Sequence, residues 1–74
     1  MDDETLKARL GAAIRERRTT LGFSQESFAD SIGMHRAYYS KIERGERNLT
    51  ILTLWRVAEG LQLSLSELMK ASKL

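Results

Sequence analysis

Arg36, Lys41 and Arg44 fall at helical spacing within residues 24 to 45, SQESFADSIGMHRAYYSKIERG, where two short amphipathic patterns meet at Gly33-Met34. Cations on one helix face suit hydrogen bonds to the base edges and phosphates of DNA. A second helix set at about 90–120° to the first by a tight turn can carry such a face into a major groove.

The first turn of such a helix comes closest to the bases. Arg36 lies there, and a guanidinium can donate two parallel bonds to guanine O6 and N7, worth roughly 1–3 kcal/mol of discrimination. Ala37 offers a methyl-sized contact for thymine, Ser40 suits a base or a phosphate, and Lys41 shares their face. Arg47 and Asn48 follow the helix and can reach a neighbouring phosphate or base edge. The candidate base readers are therefore Arg36, Ala37, Ser40, Lys41 and Arg47. The candidate backbone contacts are Ser24, Gln25, His35, Tyr38, Arg44 and Asn48. Ser24 and Gln25 open the preceding helix, whose free amides and dipole favour phosphate. His35 reads as a cap or a phosphate donor, and Tyr38 either lies beside the DNA or packs on the first helix. Glu43 opposes this plan, since a carboxylate facing phosphate costs affinity, and is expected to turn inward and pair with Arg18.

Five helices must position these groups. Apolar spacing of three to four, the absence of Pro and isolated Gly residues favour an all-α domain. The first helix is expected from about Glu4 to Leu21, with Leu6, Leu10, Ala13, Ile14 and Leu21 on one stripe and Gly22 ending it. Ser24 caps the second, whose Phe28, Ala29 and Ile32 face inward before Gly33. The third begins near His35 or Arg36, packs Tyr39 and Ile42 inward and ends at Gly45. Thr50 caps a fourth from about Ile51 to Glu59, with Ile51, Leu54, Val57 and Ala58 inward and Gly60 as its breaker. Ser64 and Glu67 form a capping box that opens a short fifth helix through Leu68 and Met69.

Bulk properties exclude more than they assign. Seventy-four residues allow one small domain over positions 1–74, which buries only about 60% of its unfolded surface and so carries function on its outside. With no Cys and a single His, a thiol-based metal site, a disulfide framework and a Cys nucleophile are excluded, and no metal or cofactor is expected. No run approaches the roughly 18 apolar residues of a membrane span, and the acidic start Met1-Asp2-Asp3-Glu4 is unlike a signal peptide. A net charge of +2 does not argue for nucleic acid by itself. Its distribution does: from His35 to Arg47 four cations stand against Glu43 and Glu46.

The pattern Ser24-Gln25-Glu26, Phe28-Ala29-Asp30, Ile32-Gly33 and Ser40-Lys41-Ile42-Glu43-Arg44-Gly45 resembles the helix-turn-helix of the phage repressor and Cro (Xre) family, and the likeness runs from the first helix to Glu67. It implies a lambda-repressor-like five-helix fold, a phosphate clamp at Gln25 that supports the base reader, base reading at Arg36 and Ala37, and a structural Arg18–Glu43 pair. A narrower likeness is to the short controller proteins of restriction-modification systems, through His35-Arg36-Ala37-Tyr38, Ile42-Glu43-Arg44 and Arg47-Asn48-Leu49-Thr50. That likeness implies base contacts from both Arg36 and Arg47. Two positions depart from it. Ala37 stands where Thr is usual, which bears on the operator sequence, and Tyr39 replaces a smaller β-branched residue, which bears on core packing.

One module of this size contacts few bases, so a two-fold dimer on two half-sites about 34–36 Å apart is expected. Leu52, Trp55, Leu63 and Leu65 form a second apolar edge that suits an isologous interface, although Trp55 can instead cover the small core. The expected function is a sequence-specific transcriptional regulator acting as a homodimer on a palindromic operator, in the cytoplasm of a bacterium or from a phage by the family resemblance. The competing function is an antitoxin that binds a protein toxin as well as its operator. Nothing in the sequence supports an enzyme, and no pocket for a small-molecule effector is legible.

Overall fold

A computed structural model describes residues 1–74 as five helices: α1 (Asp3–Thr20), α2 (Gln25–Ser31), α3 (Arg36–Glu43), α4 (Ile51–Gly60) and α5 (Leu65–Ala71). Local chemistry fixes most of their ends. The Asp2 carboxylate accepts from the Thr5 amide at 2.7 Å, and Asp3 and Glu4 at the start of α1 with Arg17 and Arg18 at its end complement the helix dipole. Ser24 caps α2 in a reciprocal box with Ser27, a pairing not foreseen because Ser is an unusual third-position partner. Thr50 caps α4 through the Thr53 amide, and Ser64 and Glu67 form the expected box on α5. The Ser64 amide holds the Glu67 carboxyl below its ordinary range.

Helix α3 starts differently. His35 occupies its N-cap position, but its side chain makes no capping bond, so the cap expected of it is absent. Gly33 takes φ +66° just before this turn, a backbone conformation open to Gly at little cost. Gly60 was expected to break α4; instead it is the helix's last residue, and Gln62 takes the left-handed φ of 61°. Gly60 serves packing, because a Cβ there would collide with Ile32 and crowd the Phe28 ring.

The core joins all five helices. Leu10, Ala13 and Ile14 of α1 meet Phe28 and Ala29 of α2, Tyr39 and Ile42 of α3, Val57 and Ala58 of α4, Leu61, and Leu68 of α5. The Phe28 and Tyr39 rings lie 5.2 Å apart, tilted against each other, and carry the α2–α3 contact. Leu61, which the helical stripes left unassigned, is fully buried just past α4. Leu6 and Ile51, expected inward, are 41% and 65% exposed. Both stand in the first turns of their helices, ahead of the buried positions Leu10 and Val57.

Helix α1 passes very close to the end of α3. A Cβ on Gly11 would stand 2.5 Å from the Glu43 carbonyl oxygen and 2.7 Å from that of Ile42, and backbone cannot yield as a flexible side chain can. Gly11→Ala is therefore expected to destabilise the protein by about 1–3 kcal/mol, although Ala normally gains roughly 1 kcal/mol over Gly inside a helix. Urea unfolding measures this, and an unchanged or raised midpoint would disprove the close approach.

Candidate nucleic-acid interface

Helices α2 and α3 are joined by residues 32–35, and the Met34 amide donates to the Ala29 carbonyl at 2.9 Å to fix the turn. Buried Tyr39 and Ile42 seat α3 on the core. A period of 3.6 then sends Arg36, Ala37, Ser40, Lys41 and Arg44 to the other side. Arg36, Ala37, Lys41 and Arg44 are exposed and Ser40 is half-buried.

Glu43 ends α3 and turns inward. Arg18 donates to it through Nε at 2.6 Å and Nη2 at 3.1 Å, Gln25 through Nε2 at 2.9 Å, and the Tyr39 hydroxyl completes the set. The same guanidinium donates through Nη1 to the Phe23 carbonyl at 2.7 Å, tying down the α1–α2 loop. Burial works to raise the Glu43 carboxyl, but the bonds from Arg18, Tyr39 and Gln25 outweigh it and hold the group below the usual carboxylate range. Its bond to Glu43 raises Arg18, while burial, followed by the bond to Glu43, raises Tyr39. Tyr39 therefore remains a neutral donor.

This arrangement alters the account of Gln25. Its amide nitrogen donates one hydrogen to Glu43 inside the protein and keeps a second. The Ser24 hydroxyl accepts from the Ser27 amide and donates to the Ser27 hydroxyl, so of these two residues only Gln25 keeps an unengaged side-chain hydrogen.

Beside α3, Tyr38 is half-buried against the core edge and carries the Arg47 guanidinium 4.6 Å above its ring. Tyr38 thus packs and also flanks the exposed face. Arg44 bonds Glu46 through Nε at 3.0 Å and Nη2 at 3.3 Å, and reaches the Ser40 hydroxyl at 3.3 Å. His35 and Asn48 are exposed. A groove of about 380 Å³, not legible in the sequence, runs behind the loop between Leu6, Leu10, Leu49, Leu54 and Met69, with Arg47 and Asn48 on its wall.

On α4, Leu52 and Trp55 are 78% and 57% exposed, and Ile51 beside them is open as well. Trp55 does not cover the core. Leu63 and Leu65 are half-buried and share with Trp55 a notch of about 170 Å³. No helix is long and apolar enough to cross a membrane.

Fold and surface together define a class: a small helical module that presents a short cationic helix, braced from behind, for a nucleic-acid groove. A family model described as helix-turn-helix matches residues 14–68, and the chain belongs to that family. The control protein C.MunI of a Mycoplasma species is 42% identical over 64 residues, covering 85% of this chain and 86% of that protein. Control protein C.SmaI of Serratia marcescens is 38% identical over 64 residues, covering 86% and 76%. Among solved structures, the restriction-modification controller protein C.AhdI from Aeromonas hydrophila superposes with a TM-score of 0.78 at 36% identity, over 82% of this chain and 92% of that one.

The buried carboxylate makes stability depend on pH in one direction. Because the folded pKa of Glu43 is depressed, its contribution is complete above the unfolded value of about 4.3 and drains as pH falls through the lower folded value. The thermal midpoint should accordingly drop on acidification below about pH 4.3. Glu43→Gln, which leaves Arg18 buried without a countercharge, should cost about 3–5 kcal/mol at neutral pH. Circular dichroism melts check both, and a variant as stable as the wild type would refute the network's role.

Proposed function

We propose that the chain is a sequence-specific transcriptional regulator that binds a palindromic operator as a homodimer in the bacterial cytoplasm, and that its setting is control of a restriction-modification operon. One observation carries the DNA reading: α3 is held by its buried side while Arg36, Ala37 and Lys41 stand exposed on the other, with Arg47 beside them. The kinship with control proteins supports the operon.

In this reading Arg36 takes a guanine through its fork, Ala37 and Lys41 contact adjoining base edges, and Arg47 reads a further base from its stack on Tyr38. Ser40 and Arg44 at the far end of α3, with His35, Tyr38 and Asn48 around it, hold phosphates. Gln25 fixes α2 to the end of α3 through one amide hydrogen on Glu43, and its second amide hydrogen donates to the DNA backbone.

Dimerisation uses the α4 surface. Ile51, Leu52 and Trp55 form an exposed apolar patch, which in a small soluble protein marks an interface.

Selection of duplexes from random sequence, read for the wild type and Arg36→Ala, tests the base-reading assignment. A palindrome is expected for the wild type, and the variant should lose roughly 1–3 kcal/mol on it together with preference at one position of each half-site. Retention of both affinity and preference would dismiss the assignment of α3. For the interface, sedimentation of Trp55→Ala should show a monomer where the wild type is a dimer, as expected when an aromatic anchor worth roughly 2 kcal/mol or more is removed. An unshifted dimer would clear α4 of this role.

A further inference from the structure

Arg36, Lys41 and Arg47 on the α3 face have no carboxylate partner, whereas Arg44 is already occupied by both oxygens of Glu46. The contact is two-pronged, as a guanidinium contact with a phosphate would be. Arg44 also donates through Nη1 to the Ser40 hydroxyl oxygen, which leaves that hydroxyl's own hydrogen available to a phosphate. Glu46 does not stand there for the sake of the helix. It lies just past the C-terminal end of α3, where the dipole disfavours an acid. Its main chain is fixed, its amide donating to the Lys41 carbonyl at 2.9 Å, so the carboxylate remains beside the cationic face.

We propose that Glu46 is an internal stand-in for a DNA phosphate, occupying Arg44 until backbone phosphate displaces it. This rests on the DNA-binding reading above and assigns Glu46 a role within it. Both side chains are about half exposed, at 54% and 51%, and such a pair is weak enough to be exchanged. The exchange taxes contacts to phosphate without touching contacts to bases. It lowers affinity for every duplex alike, and occupancy then depends on the base contacts of Arg36 and Arg47.

The test is Glu46→Gln, measured on the selected palindrome and on a duplex of scrambled sequence, in the wild-type and Arg44→Ala backgrounds, over a range of salt concentrations. Gln keeps the size and removes the charge at an exposed position, and a melt confirms the fold. Expected is a gain of roughly two- to fivefold on both duplexes, with their ratio unchanged, and a log K against log salt slope steeper by up to about one unit. In the Arg44→Ala background the gain should vanish. An unchanged affinity overturns the proposal. So does a gain that persists without Arg44, which would mean simple repulsion, or a loss confined to one base position, which would make Glu46 a reader of cytosine. A wild-type chain that binds no selected duplex would instead fail the DNA-binding reading itself.

Discussion

A single buried carboxylate sets the geometry of this molecule. Glu43 takes donors from Arg18 on α1, Gln25 on α2 and Tyr39 on its own helix, and Arg18 also holds the Phe23 carbonyl in the loop between the first two helices. No buried side-chain polar atom is left without a partner. Such a network is a poor source of net stability, since a buried ion pair costs about as much desolvation as it returns in attraction. What it supplies is position. Directional bonds to three helices fix the end of α3, and the bare backbone of Gly11 lets α1 come close enough for Arg18 to reach it.

Surfaces divide accordingly. Seventy-four residues leave little interior, and α1, α3 and α4 each spend one side on it. The remaining side of α3 is cationic and that of α4 is apolar, so one polypeptide offers two chemically distinct faces. Within the cationic face the charges are unequal. Arg47 is pre-placed on Tyr38, Arg44 is bound by Glu46, and Arg36 and Lys41 extend into solvent. Counting cations would treat these as equivalent, but the groups that are unpaired and those that must first be released contribute differently to binding.

The helices were legible in the sequence because their ends are written in local chemistry. Ser24, Thr50 and Ser64 cap, and Gly22, Gly33 and Gly45 take positive φ, all within reach of neighbours along the chain. The inward turn of Glu43 was legible for another reason: a carboxylate on a face meant for phosphate has to go elsewhere. Features set by distant parts of the chain were not. Leu6 and Ile51 fit a helical stripe, but the small core does not extend to the ends of α1 and α4. Gly60 looks like a breaker and is instead space for Ile32 and Phe28, while Leu61, beyond that supposed break, continues the spacing of Leu54, Val57 and Ala58 and is fully buried. Gln25 has a second task that its type does not announce: only the fold shows that one of its amide hydrogens goes to Glu43.

If the network exists for position, stability and DNA binding should separate when it is replaced by apolar groups of similar size. The direct measurement is Arg18→Met combined with Glu43→Leu in a Tyr39→Phe background, so that no buried hydroxyl is left unpaired, followed by urea unfolding and by titration against the palindrome selected by the wild type. A stability within about 1 kcal/mol of the wild type is expected, since exchanging a whole buried pair for packed apolar side chains is often neutral or better. Affinity for the palindrome should nevertheless fall tenfold or more, roughly the effect of a small misplacement at a recognition surface. A stable triple variant that binds the palindrome as tightly as the wild type would contradict the claim that Glu43 positions the recognition helix.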